Sequence, residues 1–86
     1  MEINKLIEII KKKITKEIVL QEINIEDKSF LHRKHKNNSS DKFHIKIIIK
    51  SDELKVKKKV ESTKKIYKIL ENELENYIHS IQLSIN

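Results

Sequence analysis

FHIKIIIK, residues 43–50, is the stretch around which the rest of this chain is organised. Apolar side chains at positions 43, 45, 47 and 49 alternate with His44, Lys46 and Lys50, and only Ile48 interrupts the alternation. A period of two residues is typical of a β-strand that buries one face and exposes the other. The sequence therefore predicts a strand over residues 43–50.

Two amphipathic helices are predicted, one before and one after this strand. In the first, apolar side chains recur three or four residues apart, at Ile3, Leu6, Ile7, Ile10 and Ile14. In the second, the apolar face consists of Ile66, Tyr67, Ile69, Leu70, Leu74 and Tyr77. This spacing places each set on one face of an α-helix. Ser62 or Thr63 is expected to cap the second helix, because a hydroxyl oxygen can accept a backbone N–H of the first turn.

Two more strands are predicted from β-branched and alternating residues. The first covers residues 17–26, where Val19, Ile23 and Ile25 are expected to share one side. The second covers residues 79–85, which alternate between apolar and polar side chains. Strand parity places His79 on the apolar side of this last strand, which is expected to face the core.

The predicted fold class is α/β in the broad sense, or α+β, in the order helix, strand, strand, short helix, helix, strand. The short helix falls in a lysine-rich connector over residues 51–60. The first two strands can pair antiparallel across a loop, whereas the second and the last are expected to be parallel through a right-handed crossover. The result is a three-stranded mixed sheet with helices on one face. Because 86 residues bury only one core, residues 1–86 are predicted to form a single domain with a mobile polar loop at about residues 28–42.

The composition excludes several classes of function. The chain contains no Cys, Gly or Pro. It therefore has no disulfide or thiol nucleophile, and it lacks the glycine-rich turns that cradle phosphates. No serine and histidine pattern supplies a nucleophile, a base and an oxyanion hole, so a non-enzymatic protein is expected. The apolar runs are too short to span a bilayer, and a cytoplasmic protein without membrane contact is predicted, with a mitochondrial location as the alternative.

Four short motifs occur in a defined order. Residues 27–35, DKSFLHRKH, match a D-x-S-x-x-H pattern followed by a further histidine. Residues 43–46 stand where the same pattern has S-H-F and an aliphatic strand, and residues 66–74 fit V-Y…L-x-E-E-L. Residues 77–81, YIHSI, fit an I/V-H-A-L element that opens the last strand. In this order and spacing the chain resembles the BolA-like protein family over nearly its whole length.

The chain departs from the family pattern at two places. The F-x-G that follows the second strand in the family reads Leu54-Lys55-Val56 here, without a glycine. The R-H-R before the main helix reads Ser62-Thr63-Lys64. A function that depends on that central histidine or on its two arginines is therefore not expected in this chain.

The resemblance implies a fold similar to a type II KH domain and a role beside a monothiol glutaredoxin in iron–sulfur cluster assembly, trafficking or iron regulation. It implies a shared [2Fe–2S] cluster, with thiolates from glutaredoxin and glutathione and histidines from this chain. The ligand positions carried over are His79 and a loop histidine, His32 or His35. The free chain is then expected to be a monomer without a cofactor.

Each of these histidines also has a structural interpretation. Without the resemblance, His79 is interpreted as a hydrogen-bonded residue of the core, and His32 and His35 as solvated loop residues. His44 is a third candidate ligand, but its position opposite Phe43 predicts an exposed strand residue.

Nucleic-acid binding is the alternative function. The formal charge is +6, and the segment 55–68 carries Lys55, Lys57, Lys58, Lys59, Lys64, Lys65 and Lys68. Lysines in this number can contact several phosphates, and a short helix before a longer one resembles a helix-turn-helix. Against this function, the GXXG loop of KH domains is absent, and Arg33 is the single arginine available to read base edges.

Overall fold

The computed structural model describes residues 1–29 and 42–86. Within them, four helices and three strands follow one another as α1 (Ile3–Glu17), β1 (Glu22–Asp27), β2 (Phe43–Lys50), α2 (Asp52–Lys55), α3 (Lys59–Ile69), α4 (Glu71–Asn76) and β3 (Ile78–Ile85). Apart from a break between α3 and α4, this is the order predicted from the sequence. The predicted mobile loop, at about 28–42, lies for residues 30–41 outside the described part of the chain.

The sheet has the predicted mixed topology, in the order β1-β2-β3. β1 pairs antiparallel with β2, with Ile25 opposite Ile47. β3 pairs parallel with β2 on the other side, with Leu83 opposite Ile47. The α+β fold class and the antiparallel and parallel pairings are therefore confirmed, and β2 is the central strand.

The core lies between one face of the sheet and the helices. β2 contributes Ile45, Ile47 and Ile49, which are almost completely buried. Buried residues in or next to α1, α2 and α3 pack against this face of the sheet: Leu6, Ile10, Ile14, Ile18, Leu54, Ile66 and Leu70. Because the buried positions of α1 are four residues apart, they form the apolar stripe that the sequence predicts.

The first strand begins later than predicted. α1 extends to Glu17, and β1 begins only at Glu22. Val19 therefore lies in the connection and is 68% exposed, while Ile18 is buried in its place. The side chain of Ser51 explains part of this path: it donates a hydrogen bond to the carbonyl oxygen of Val19 and accepts one from the backbone N–H of Leu54. One buried hydroxyl thus caps α2 and holds the connection against the end of β2.

The main helix also differs from the prediction. It begins at Lys59, so Ser62 lies inside the first turn and does not cap it. The buried Ser62 hydroxyl donates to the carbonyl oxygen of Leu54 and joins α3 to α2. The helix breaks at Leu70, and α4 carries the buried carboxylate Glu73. The apolar periodicity continues through the break, which is why the sequence predicts one helix.

Lys13 of α1 and Glu73 of α4 form an ion pair with a 2.7 Å separation. Burial raises the pKa of the Glu73 carboxyl. Hydrogen bonds from Lys13, from Asn72 and from its own backbone lower this pKa, as does the charge of Lys13, and these effects outweigh burial. The net pKa therefore lies below its ordinary value of 4.5. A carboxyl with a lowered pKa in the folded state contributes stability above its unfolded pKa and loses it as the pH falls through its folded pKa.

We therefore expect Lys13→Met to lower the free energy of unfolding at pH 7 by about 1–3 kcal/mol, because it leaves a buried carboxylate without its charged donor. The gap between the wild type and the variant should narrow as the pH falls through and below 4.5. Urea denaturation at several pH values measures this gap. Lys12→Met is the control, because it removes the same positive charge from an exposed position of α1. A gap that is constant from pH 7 to pH 3 would contradict the role of Glu73.

Candidate functional site

The pairing of β2 with β3 contains a bulge at the start of β3. Phe43 lies opposite Ile78, but the next residue, His44, lies opposite Ser80. His79 is thus an extra residue in β3 with no partner of its own in the ladder. A bulge redirects the side chain it carries and shifts the parity of the strand. His79 is accordingly exposed, and the prediction that it lies on the core side is wrong.

The bulge brings His79 next to His44. The Nδ1 atom of His79 lies 3.1 Å from the Nε2 atom of His44. The two rings meet edge to face, with centroids 4.6 Å apart and an interplanar angle of 89°. A nitrogen–nitrogen distance of this length is a hydrogen bond, so one ring carries the proton between them. The pair therefore links the central strand to the edge strand through side chains.

His44 is buried, with 6% of its surface exposed. The prediction of an exposed strand residue is wrong, because alternation along β2 does not show which residues of the neighbouring strand cover this face. His44 lies on the face of the sheet away from the helices, but Ser80 and His79 of β3 cover it there. Its Nδ1 atom is 2.6 Å from the hydroxyl oxygen of Ser80. Both ring nitrogens of His44 are thus engaged by consecutive residues of β3.

The Nδ1 atom of His79 is occupied by His44, whereas its Nε2 atom makes no hydrogen bond to any residue in the described ranges 1–29 and 42–86. An exposed imidazole with one engaged nitrogen has the arrangement found in metal-binding histidines, where the second nitrogen coordinates. His79 therefore has the ring arrangement of a metal-binding histidine at an exposed position.

The start of the loop is attached to the same corner of the sheet. The carboxylate of Asp27 accepts the backbone N–H of Ser29, and the hydroxyl of Ser29 accepts the backbone N–H of His44. The backbone N–H of Lys28 donates to the carbonyl oxygen of His44. The D-x-S motif is therefore a structural anchor beside the histidine pair. The candidate ligands His32 and His35 lie outside the described residues.

The described residues alone do not form a complete metal site. Among residues 1–29 and 42–86, no group of three or more His, Cys, Asp or Glu side chains could hold a metal ion. The sequence has no cysteine. A [2Fe–2S] cluster needs four protein or thiol ligands, and imidazole is an accepted minority ligand in such clusters. The donor set of this chain therefore fits a cluster only when a partner supplies thiolates.

A second surface carries the lysines of the segment 55–68. Lys65 is half-buried, and its Nζ atom lies 3.9 Å from the Oε2 atom of Glu53. The other six lysines are exposed: Lys55, Lys57, Lys58, Lys59, Lys64 and Lys68. Three of them line an open groove between the α2–α3 turn and the end of β3, together with Leu83 and Ile85. We call this region the lysine groove. Within residues 1–29 and 42–86, none of the helices combines the length and the apolar composition that a bilayer-spanning helix needs.

Fold and site together define a small α+β domain with a histidine pair at the start of an edge strand. The sequence model of the BolA-like protein family matches residues 14–86, and this chain belongs to that family. A relative from Haemophilus influenzae (strain ATCC 51907 / DSM 11121 / KW20 / Rd), described as the DNA-binding transcriptional regulator BolA, is 37% identical over 78 residues. These cover 91% of this chain and 73% of the relative.

Two solved structures share the fold. The BolA domain of SufE1 from Arabidopsis thaliana superposes with a TM-score of 0.78 at 24% identity, covering all of this chain and 93% of that one. BolA1 from Arabidopsis thaliana superposes with a TM-score of 0.73 at 24% identity, covering 90% of this chain and 85% of that one. The resemblance stated from the sequence motifs is thereby confirmed at the level of family and fold.

The sequence does not reveal the contacts of two residues of the site. The alternation of the last strand predicts only a polar strand residue at Ser80, and His44, the third candidate ligand, is predicted to be exposed. The pair His79-Ser80 would indicate both contacts of His44 if the bulge that places it opposite His44 were known. Because a bulge depends on pairing between distant segments, alternation along one strand does not reveal it.

Proposed function

We propose that this chain is a partner of a monothiol glutaredoxin in iron–sulfur cluster assembly, trafficking or iron regulation, and that His79 is its principal ligand to a shared [2Fe–2S] cluster. The cluster would accept and donate single electrons and would be held mainly by thiolates of glutaredoxin and glutathione. This chain would contribute imidazole nitrogen, which raises the cluster potential relative to an all-thiolate site. Its role is binding and not catalysis.

The observation that carries the proposal is the exposed position of His79, with Nδ1 engaged by His44 and Nε2 without a protein partner in the described residues. A histidine kept only for stability would more often be buried with both nitrogens satisfied, as His44 is. The sequence supplies no cysteine for the cluster, which agrees with a chain that completes a site whose thiolates come from elsewhere.

The length of the chain supports a second ligand from the loop. The loop begins at Ser29, which is hydrogen-bonded to His44. Three residues of extended chain span at most about 11 Å and six at most about 22 Å, so the chain length after Ser29 allows either His32 or His35 as the second ligand. We retain both, and propose that one of them completes the pair of ligands.

The experiment that tests the proposal is anaerobic reconstitution of a monothiol glutaredoxin with iron, sulfide and glutathione, with and without this chain. Visible circular dichroism is followed, together with native mass spectrometry. We expect a changed cluster spectrum and a one-to-one complex that retains two irons. His32→Ala and His35→Ala, made singly, should differ from each other, because one ligand position is available to the loop. A spectrum indifferent to the chain would reject the proposal, and two unaffected loop variants would reject the loop ligand.

Nucleic-acid binding is retained as a second candidate function because of the lysine groove. Six lysines of the segment 55–68 are exposed, and three of them, Lys55, Lys57 and Lys59, line the groove beside the turn between α2 and α3. The relative from Haemophilus influenzae is described as a DNA-binding transcriptional regulator. The lysines provide sequence-independent phosphate contacts, whereas no arginine of the described residues is present to read bases.

For this candidate we expect duplex DNA to bind with a steep salt dependence. If about four phosphates are neutralised, the affinity should fall roughly 100-fold between 50 and 200 mM salt. The double variant Lys57→Glu and Lys59→Glu should weaken binding far more than the control Lys5→Glu and Lys11→Glu, which makes the same charge change on α1. Fluorescence anisotropy measures both. Equal losses in the two double variants would show that net charge alone attracts DNA, and would reject a defined interface.

A further inference from the structure

The contacts of His44 indicate a role for this residue that is separate from metal ligation. His44 is buried on the face of the sheet away from the helices, between Ser80 and His79. Its ring bridges two consecutive residues of the edge strand, with one nitrogen on each. Burial and the engagement of both ring nitrogens leave His44 unsuited to coordinate a metal itself.

Two arrangements of protons satisfy the distances. In the first, Nδ1–H of His79 donates to Nε2 of His44, and Nδ1–H of His44 donates to the hydroxyl of Ser80. In the second, the direction of both hydrogen bonds is reversed, and His79 carries its proton on Nε2. Only the first arrangement leaves a lone pair on the Nε2 atom of His79. The hydrogen bond made by one ring nitrogen selects the tautomer of the whole ring.

We propose that His44, supported by Ser80, is a positioning residue that holds His79 with its proton on Nδ1, so that Nε2 is ready to bind metal. The proposal rests on the function proposed above, because metal binding is what requires the first arrangement. The edge-to-face contact of the two rings fixes the orientation of the His79 ring at the same time. His44 thus acts on the metal through His79, without touching it.

The primary test uses the free chain and no metal. Long-range proton–nitrogen NMR correlations distinguish the two neutral tautomers of each histidine, and the spectrum is recorded at about pH 8, above the ordinary pKa of an imidazole. We expect the Nδ1–H tautomer at His79 in the wild type. His44→Leu should shift His79 toward the Nε2–H tautomer. His44→Gln should retain the Nδ1–H tautomer, because the amide oxygen of Gln can accept the same hydrogen bond.

Lys46→Leu serves as the matched control. Lys46 lies two residues along the same strand on the same face, where it is half-buried, and within residues 1–29 and 42–86 it forms no hydrogen bond with His79. This variant should leave the tautomer of His79 unchanged. An Nε2–H tautomer in the wild type would overturn the proposal whether or not the variants fold. An unchanged tautomer in folded His44→Leu would overturn it as well.

A second readout connects the tautomer to the cluster. In the reconstitution with glutaredoxin, His44→Leu should weaken the complex about 10–100-fold, as the loss of an outer hydrogen bond to a metal ligand does, and His44→Gln should restore most of the affinity. The two failures are distinguishable. A wild-type Nδ1–H tautomer without any cluster complex rejects the proposed function, whereas a complex that depends on His79 but is insensitive to His44→Leu rejects the positioning role.

Discussion

Replacing His79 by alanine is expected to remove the effect of this chain on the cluster spectrum of a monothiol glutaredoxin. His79 is the one exposed histidine among residues 1–29 and 42–86, and the Nε2 atom of its imidazole is the proposed ligand atom to the cluster. Loss of an outer hydrogen bond to a ligand costs about 10–100-fold in metal affinity, so loss of the ligand itself should cost about 100-fold or more. The measurement is the visible circular dichroism change on titration with the chain.

The variant must also be shown to fold. Because His79 is exposed and occupies a bulge, its removal should leave the sheet intact, apart from one lost hydrogen bond to His44. Gln82→Ala is the matched control: Gln82 is also an exposed residue of β3, and its removal should preserve the full spectral change. If His79→Ala and Gln82→Ala behave like the wild type, the ligand assignment is wrong. Complex formation without the spectral change would instead indicate an adaptor that docks on glutaredoxin and leaves the cluster alone.

The largest effect on stability is expected from Ile47→Ala. Ile47 lies in the central strand between Ile25 of β1 and Leu83 of β3, and none of its surface is exposed. Truncation to alanine leaves a cavity where three strands meet the helical layer, which costs about 2–5 kcal/mol. An 86-residue domain has a free energy of unfolding on the order of 5–10 kcal/mol. The substitution therefore removes a large fraction of the stability.

Ile48→Ala is the control for Ile47→Ala. It removes the same atoms from the next residue, which lies on the opposite face of the strand and is only half-buried. Urea denaturation followed by far-ultraviolet circular dichroism should show a lower midpoint for Ile47→Ala, with a nearly unchanged slope, and a much smaller change for Ile48→Ala. Similar losses in the two variants would show that the open face of the sheet is covered as tightly as the core.

Much of the fold was predictable because it follows from local periods. The alternation in FHIKIIIK depends only on the geometry of an extended chain, and Leu6, Ile10 and Ile14 show the helical period in the same way. The parallel pairing of β2 and β3 follows from the helices between them. The order of the four motifs predicted the family, and the family match over residues 14–86 confirms it.

The boundaries were less predictable, because polar side chains can serve more than one purpose. Ser62 has the residue type of a helix cap but joins α3 to α2. Ser51, to which the sequence pattern assigns no role, caps α2 and holds the connection before β1. A hydroxyl satisfies whichever backbone group the packing brings to it, so the residue type indicates the need for a partner and not its identity.

The sequence by itself establishes the strand periods, the helical faces, the α+β order and the presence of histidines in a BolA-like pattern, because each of these depends on residues close together in the chain. The site depends on contacts across 35 residues, from His44 to His79. A bulge in the pairing of β2 and β3 reverses the expected exposure of both histidines, burying the one and presenting the other. Register between distant strands is set by the packing of the whole sheet, and that is why only the folded chain shows that His79 is exposed and that His44 is buried against it.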